Sequence, residues 1–211
     1  LKPIDETSDQ ETRAWLTIPR SVHVAVTVSD MNEIGEMASL LRAFEQVAIR
    51  KPNSRLIVIG DGPKFKDIEF EALMLALGSK VIFTGDLAHE DQVRAISRAD
   101  VFVNLSARTS GFEPSLLEAM VMGSFPIQSN TSCGSEWLED GRSGIFVNPE
   151  DPEDTERAVR RAVADDELVN RAAELNYNNL FEKLNYKKIQ DIVVNNYKKI
   201  LSGQHFNGSS I

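Results

Sequence analysis

The strongest constraint on this chain is a repeated exchange between two periodicities. Short runs rich in β-branched residues occur at 22–28 (VHVAVTV), 55–59 (RLIVI), 81–84 (VIFT), 101–105 (VFVNL), 125–128 (FPIQ) and, more briefly, 145–147. Such nearly continuous apolar runs read as buried strands. Between them lie segments of helical spacing. Within 36–50, Met37, Leu40, Leu41, Phe44 and Val47 form one stripe, and helices are expected at roughly 64–77, 90–97 and 114–122. Strand and helix alternating in this way require a parallel sheet covered on both faces, because each strand must return to the same end through a crossover. The expected fold class is α/β, a Rossmann-like doubly wound parallel sheet. Beyond 151 the pattern is helical throughout, with helices expected at 155–164, 168–181 and 186–201. The expected division is a polar, irregular linker or arm over 1–20, one domain over 21–201, and a polar tail over 202–211.

Bulk properties narrow the function. With 211 residues, 42% hydrophobic and 26% charged, the chain has the composition of one soluble domain. A net charge of -9 excludes a general nucleic-acid binder, which needs a basic face to displace counterions from phosphate. A small anion can still be held by a local device such as a helix N-terminus. The single cysteine, Cys133, allows no internal disulfide and favours a reducing, cytoplasmic location. No run is long enough to span a bilayer, and no basic amphipathic helix is expected, so membrane contact would have to come from another domain. The start, Leu1-Lys2-Pro3, reads as the beginning of an excised piece. Sequons begin at Asn130 and Asn207, a pattern frequent by chance.

In an open parallel sheet, ligands sit beyond the carboxyl ends of the strands. Three loops have that character. Gly60-Asp61-Gly62-Pro63 follows a strand directly, either as a plain tight turn or as a ligand loop. The second loop, 106–113, brings Ser106, Arg108, Ser110, Gly111, Phe112 and Glu113 to a helix opened by Pro114. N–H groups near 111–115 would face whatever binds there, and an anion gains about 0.3–2 kcal/mol from such an end. Glu118, one turn into that helix, could accept hydrogen bonds from a pair of hydroxyls or merely complement the helix dipole. The third loop, 130–136, with Cys133, Gly134 and Glu136, precedes an Asp140-Gly141 turn. His89 reads as a cap or surface residue, and His23 and His205 as structural or solvated. No set of histidines and acids has metal-ligand spacing, and neither metal nor cofactor is expected.

Taken together, RLIVIGDGP (55–63), VIFTGDL (81–87), ISRADVFVNLS (96–106), SLLEAMVMGSFPI (115–127) and EWLEDGRSGIFVNPEDPE (136–153) resemble the C-terminal domain of the retaining glycosyltransferases of family 4. These have the two-Rossmann-domain GT-B fold. The resemblance implies that Glu118 holds the ribose hydroxyls of a nucleotide-sugar donor. It sets Gly111, Phe112 and Glu113 against the diphosphate and sugar, and Gly85 and Leu87 against the base, while Gly60 and Gly62 are donor-binding candidates only as glycines of the first loop. It implies as partners a nucleotide sugar and an N-terminal acceptor-binding domain. No catalytic base is nominated, because in this family the groups nearest the reacting carbon often come from that other domain.

Two departures stand out. Ser110 occupies the position where the family has an acid against the donor sugar. The stretch Ser29-Asp30-Met31-Asn32-Glu33-Ile34-Gly35 lacks the family's Arg and Lys diphosphate clamp, for which Arg108 or Lys64 would have to substitute. The rival expectation is therefore a degenerate, non-catalytic domain serving as a binding or scaffolding module. An NAD-type enzyme is disfavoured, since no Gly-x-Gly-x-x-Gly follows the first strand.

Overall fold

A computed structural model describes residues 6–19, 22–105, 114–130 and 133–202. Strands β1 (His23–Val28), β2 (Ser54–Ile59), β3 (Val81–Gly85), β4 (Val101–Asn104), β5 (Phe125–Ser129) and β6 (Ile145–Val147) form one sheet of order β3-β2-β1-β4-β5-β6. Every strand pairing in it is parallel. The helices are α1 (Glu6–Trp15), α2 (Gly35–Arg50), α3 (Phe65–Met74), α4 (His89–Ile96), α5 (Pro114–Met122), α6 (Pro152–Ala164), α7 (Asp166–Lys183) and α8 (Tyr186–Leu201).

The period-two geometry of each strand divides the core into two layers. Leu56 and Val58 of β2 pack with side chains of α2, α3 and α6, whereas Ile57 and Ile59 pack with those of α4 and α5. Helix α7 joins both layers, giving Leu168 and Ala172 to the first and Leu180 to the second. The chain runs outward from β1 through β2 to β3, then returns to β4 on the other side of β1. That reversal puts a topological switch point between β1 and β4, the place where open α/β sheets bind ligands.

Three regions differ from the sequence expectation. The segment 1–20 is not irregular throughout, because Glu6–Trp15 is helical. Leu16 and Ile18 behind it are buried in the α4–α5 layer, and Arg94 lies over the Trp15 ring at 6.0 Å. Helix α6 starts at Pro152 rather than 155. The Asp151 carboxylate accepts from the N–H groups of Glu153 and Asp154, and a proline suits the first helical position. Helix α7 likewise starts at Asp166, where the Asp165 side chain accepts from Leu168 N–H at 2.9 Å.

The third difference is α8, which buries none of its residues. It carries Lys187, Lys188, Lys198 and Lys199 beside exposed isoleucines, valines and tyrosines. The expectation that this acidic chain holds no basic amphipathic helix is therefore wrong at its last helix. The lysines are diluted in a whole-chain count of -9, which is why composition concealed it. No helix among the described residues is long and apolar enough to cross a membrane.

Candidate functional site

At the carboxyl ends of β1, β2 and β3 the connecting loops are laced to one another by backbone groups. Ser29 N–H donates to Ile59 O at 3.0 Å, Gly60 N–H to Gly85 O at 2.9 Å, and Lys64 N–H to Met31 O at 3.0 Å. The glycines make this possible. A Cβ on Gly60 would lie 2.0 Å from Ser29 O, and one on Gly62 would lie 2.1 Å from Asp30 O. Gly60 also has φ +119, a left-handed-side conformation that disfavours any side chain. Their first duty is thus to let the β1–α2 and β2–α3 loops touch. Gly85 differs: its φ is +67, but a Cβ there would meet nothing within 4 Å. Leu87, just beyond, packs partly buried on the α4–α5 layer.

Across the switch point, the described part of α5 runs from Pro114 to Met122. Behind its start, Asn104 at the end of β4 donates from Nδ2 to Gln128 Oε1 of β5 at 3.2 Å, a buried cross-strand tie between registered residues. One turn into α5 stands Glu118. Its Oε1 lies 3.5 Å from His89 Nε2, at the first residue of α4. Its Oε2 is buried and has no hydrogen-bond partner among the described residues. Leaving a buried acceptor unsatisfied costs about 1–3 kcal/mol, more for a charged group. Glu118 therefore has one oxygen facing His89 and one buried without a hydrogen-bond partner among the described residues, on a side chain that is 23% exposed.

The His89–Glu118 pairing is not visible in the sequence, where the two residues lie 29 positions apart. The imidazole is largely exposed, as expected for a surface residue, yet it faces the carboxylate because α4 and α5 pack side by side on one face of the sheet. His23 sits at the opposite end of the strands, its Nδ1 3.9 Å from Asp100 Oδ2. Arg108, Ser110, Gly111, Phe112 and Glu113 lie outside the described residues. Lys64 is fastened to the β1–α2 loop by its backbone, while its ammonium pairs with Asp67 at 3.4 Å. In the β1–α2 loop itself, Asp30 accepts hydrogen bonds from Asn32.

The third loop is held down by α7. Asn176 Nδ2 donates to Ser143 O at 2.8 Å and Asn179 Nδ2 to Trp137 O at 3.0 Å, while Lys183 lies over the Trp137 ring and donates to Glu136 O. Asp140 Oδ1 accepts from Phe146 N–H at 2.9 Å, and Gly141 has φ +72, as its turn requires. Among the described residues no three metal-ligating side chains cluster.

Comparison with known proteins agrees with this fold. The chain is 24% identical over 200 residues to alpha-monoglucosyldiacylglycerol synthase of Streptococcus pneumoniae, covering 92% of this chain and 44% of that protein. Its fold matches Anabaena HepE, crystallised in complex with UDP, with TM-score 0.83 at 17% identity, over 92% of this chain and 53% of that one. It also matches the C-terminal domain of a glycosyl transferase group 1 protein from Francisella tularensis, with TM-score 0.71 at 20% identity, covering 83% and 92% of the two chains. The chain thus spans about half the length of the whole proteins it matches and nearly all of that isolated domain. The sheet order, the parallel pairing and the helical C-terminal segment are those of a Rossmann-like GT-B domain. Residues 9–179 match the family described as glycosyl transferases group 1, and the chain belongs to it.

Proposed function

We propose that this domain binds the nucleotide-sugar donor of a retaining glycosyltransferase, which passes a hexose-like sugar from a UDP- or GDP-linked donor to a glycan or lipid acceptor in the cytoplasm. The observation that carries this reading is Glu118, near the switch point, whose buried Oε2 has no hydrogen-bond partner among the described residues. A ribose offers two adjacent hydroxyl donors, the complement of a carboxylate with one oxygen idle. The diphosphate would lie toward the start of α5, stabilised by amides of its first turn and of the 106–113 loop, Gly111, Phe112 and Glu113 among them. The base would lie toward Gly85 and Leu87, where Gly85 is open to approach. Gly60 and Gly62 hold the rim of the site, while Ser110 and Arg108 would meet the sugar and a phosphate.

Catalysis would consist mostly of positioning and of stabilising the departing diphosphate, with no metal required of this half. The acceptor and the groups nearest the reacting carbon would come from an N-terminal domain, so the piece alone is expected to bind without transferring. The UDP in HepE and the lipid product named for the pneumococcal relative support a nucleotide donor and keep a lipid acceptor in view. A second reading rests on the β1–α2 loop, which offers Asp30 and Glu33 where the family has basic residues. On that reading the domain is a scaffold that has lost donor chemistry.

Thermal midpoints with UDP, GDP and ADP, with and without attached sugars, separate the two readings. Saturable stabilisation by one nucleotide, about 2.7 kcal/mol at a hundredfold excess over Kd, is expected for a donor site. Indifference to all of them supports the scaffold.

A further inference from the structure

His89 does none of the work expected of a residue at the start of a helix. Ala88 occupies the N-cap of α4, and no side chain caps that end. Within α4 the charged neighbour Asp91 is already taken by Arg94, one turn on, at 3.3 Å. The imidazole instead reaches across to α5, where its Nε2 stands 3.5 Å from Glu118 Oε1. Its backbone is fixed from both directions. Leu87 packs partly buried on the α4–α5 layer just before it, and Ala95 and Ile96 bury the far end of α4 in that same layer with Leu116, Leu117 and Met120 of α5.

We propose that His89 is a positioning residue of the donor site, whose imidazole sets the plane of the Glu118 carboxylate so that both of its oxygens meet the ribose hydroxyls. The inference rests on the donor-site reading of Glu118 and adds to it a residue that selects the sugar. A glutamate has several rotatable bonds, and ordering such a side chain on binding weakens affinity. A partner on Oε1 orders it beforehand and thereby aims Oε2, which is buried and has no other partner among the described residues. Oε1 is not used up by this contact, because each carboxylate oxygen has two lone pairs and accepts from an imidazole N–H and a hydroxyl together. At 3.5 Å the pair is slightly longer than a hydrogen bond. Site groups often stand so in a free protein and tighten once a ligand excludes water. His89 also follows closely on Gly85 and Leu87, the residues assigned to the base, so it lies on the stretch of chain that joins base to ribose.

The test is titration calorimetry of the chain with UDP and GDP, each compared with a dideoxy analogue that lacks both ribose hydroxyls. His89→Ala should weaken the ribonucleotide about three- to fivefold and leave the analogue unchanged, with the thermal midpoint within about 4 °C of the wild type. His89→Gln, which keeps an N–H donor at similar reach, should restore affinity to within about twofold. In a Glu118→Ala background, His89→Ala should cost nothing further, because the group it positions is gone. An equal loss for the dideoxy analogue overturns the proposal, and so does a full further loss in the Glu118→Ala background. A His89→Gln variant as weak as His89→Ala overturns it too. A wild type that binds neither nucleotide ends the donor-site reading and this inference with it. A wild type that binds, weakens with Glu118→Gln and is indifferent to His89→Ala ends this inference alone.

Discussion

The two sides of the switch point are finished to different degrees. On the β1–β2–β3 side, loop is bonded to loop, and Gly60 and Gly62 leave no space for even a methyl group between their backbones and those of Ser29 and Asp30. On the α4–α5 side, Glu118 has a buried oxygen without a partner among the described residues, and His89 stands largely in solvent beside it. On the proposed function, the first side is the frame and the second the binding site. A domain that must hold a donor in one geometry needs both, because binding groups act only as well as the backbone that positions them.

Substitutions on each side should therefore fail in different ways. The largest effect is expected from Gly60→Ala or Gly62→Ala, which drive a methyl group into a backbone carbonyl. A loss of about 3 kcal/mol, or roughly 6–12 °C in thermal midpoint, should appear with no ligand present. A fall of under about 2 °C would show that the loops can separate cheaply. Glu118→Gln should do the reverse, weakening nucleotide affinity about ten- to hundredfold in titration calorimetry while the apo midpoint hardly moves. Gly85→Ala sharpens the contrast, because only its φ of +67 opposes the change. About 1–2 kcal/mol of stability should be lost in urea unfolding, clearly less than at Gly60. The smallest effect is expected at His89→Ala, since an exposed pair contributes about 0–1 kcal/mol; a midpoint drop above about 4 °C would place His89 in the frame instead.

The strands and the α5 start were legible because their signals are local. Continuous β-branched runs, and a proline at the head of an apolar helix, carry their meaning without distant partners. Helix α1 was not legible, because ETSDQETRAW has no apolar stripe, and the buried Leu16 and Ile18 lie just after it. The Asp151–Pro152 start of α6 is written in the sequence as an acid before a proline, but the apolar spacing begins only at Thr155 and points to a later start. The double role of Gly60 and Gly62 was half visible. Glycine announced a tight approach, but only the fold reveals that the approaching group is the neighbouring loop. The meeting of His89 with Glu118 depends on α4 and α5 sharing one face of the sheet, a fact of topology that spacing does not carry. The exposure of α8 is likewise tertiary, since a 3.6-residue pattern indicates that a helix has an apolar side but not what covers it.

The central claim is that Glu118 is an unfinished half of a nucleotide site, and calorimetric titration of UDP and GDP into the wild type and Glu118→Gln, side by side, tests it most directly. The account predicts one saturable site for one of these nucleotides in the wild type and an affinity about ten- to hundredfold lower in the variant, with both proteins equally folded. Equal affinities in the two proteins, or no binding to either, would contradict it.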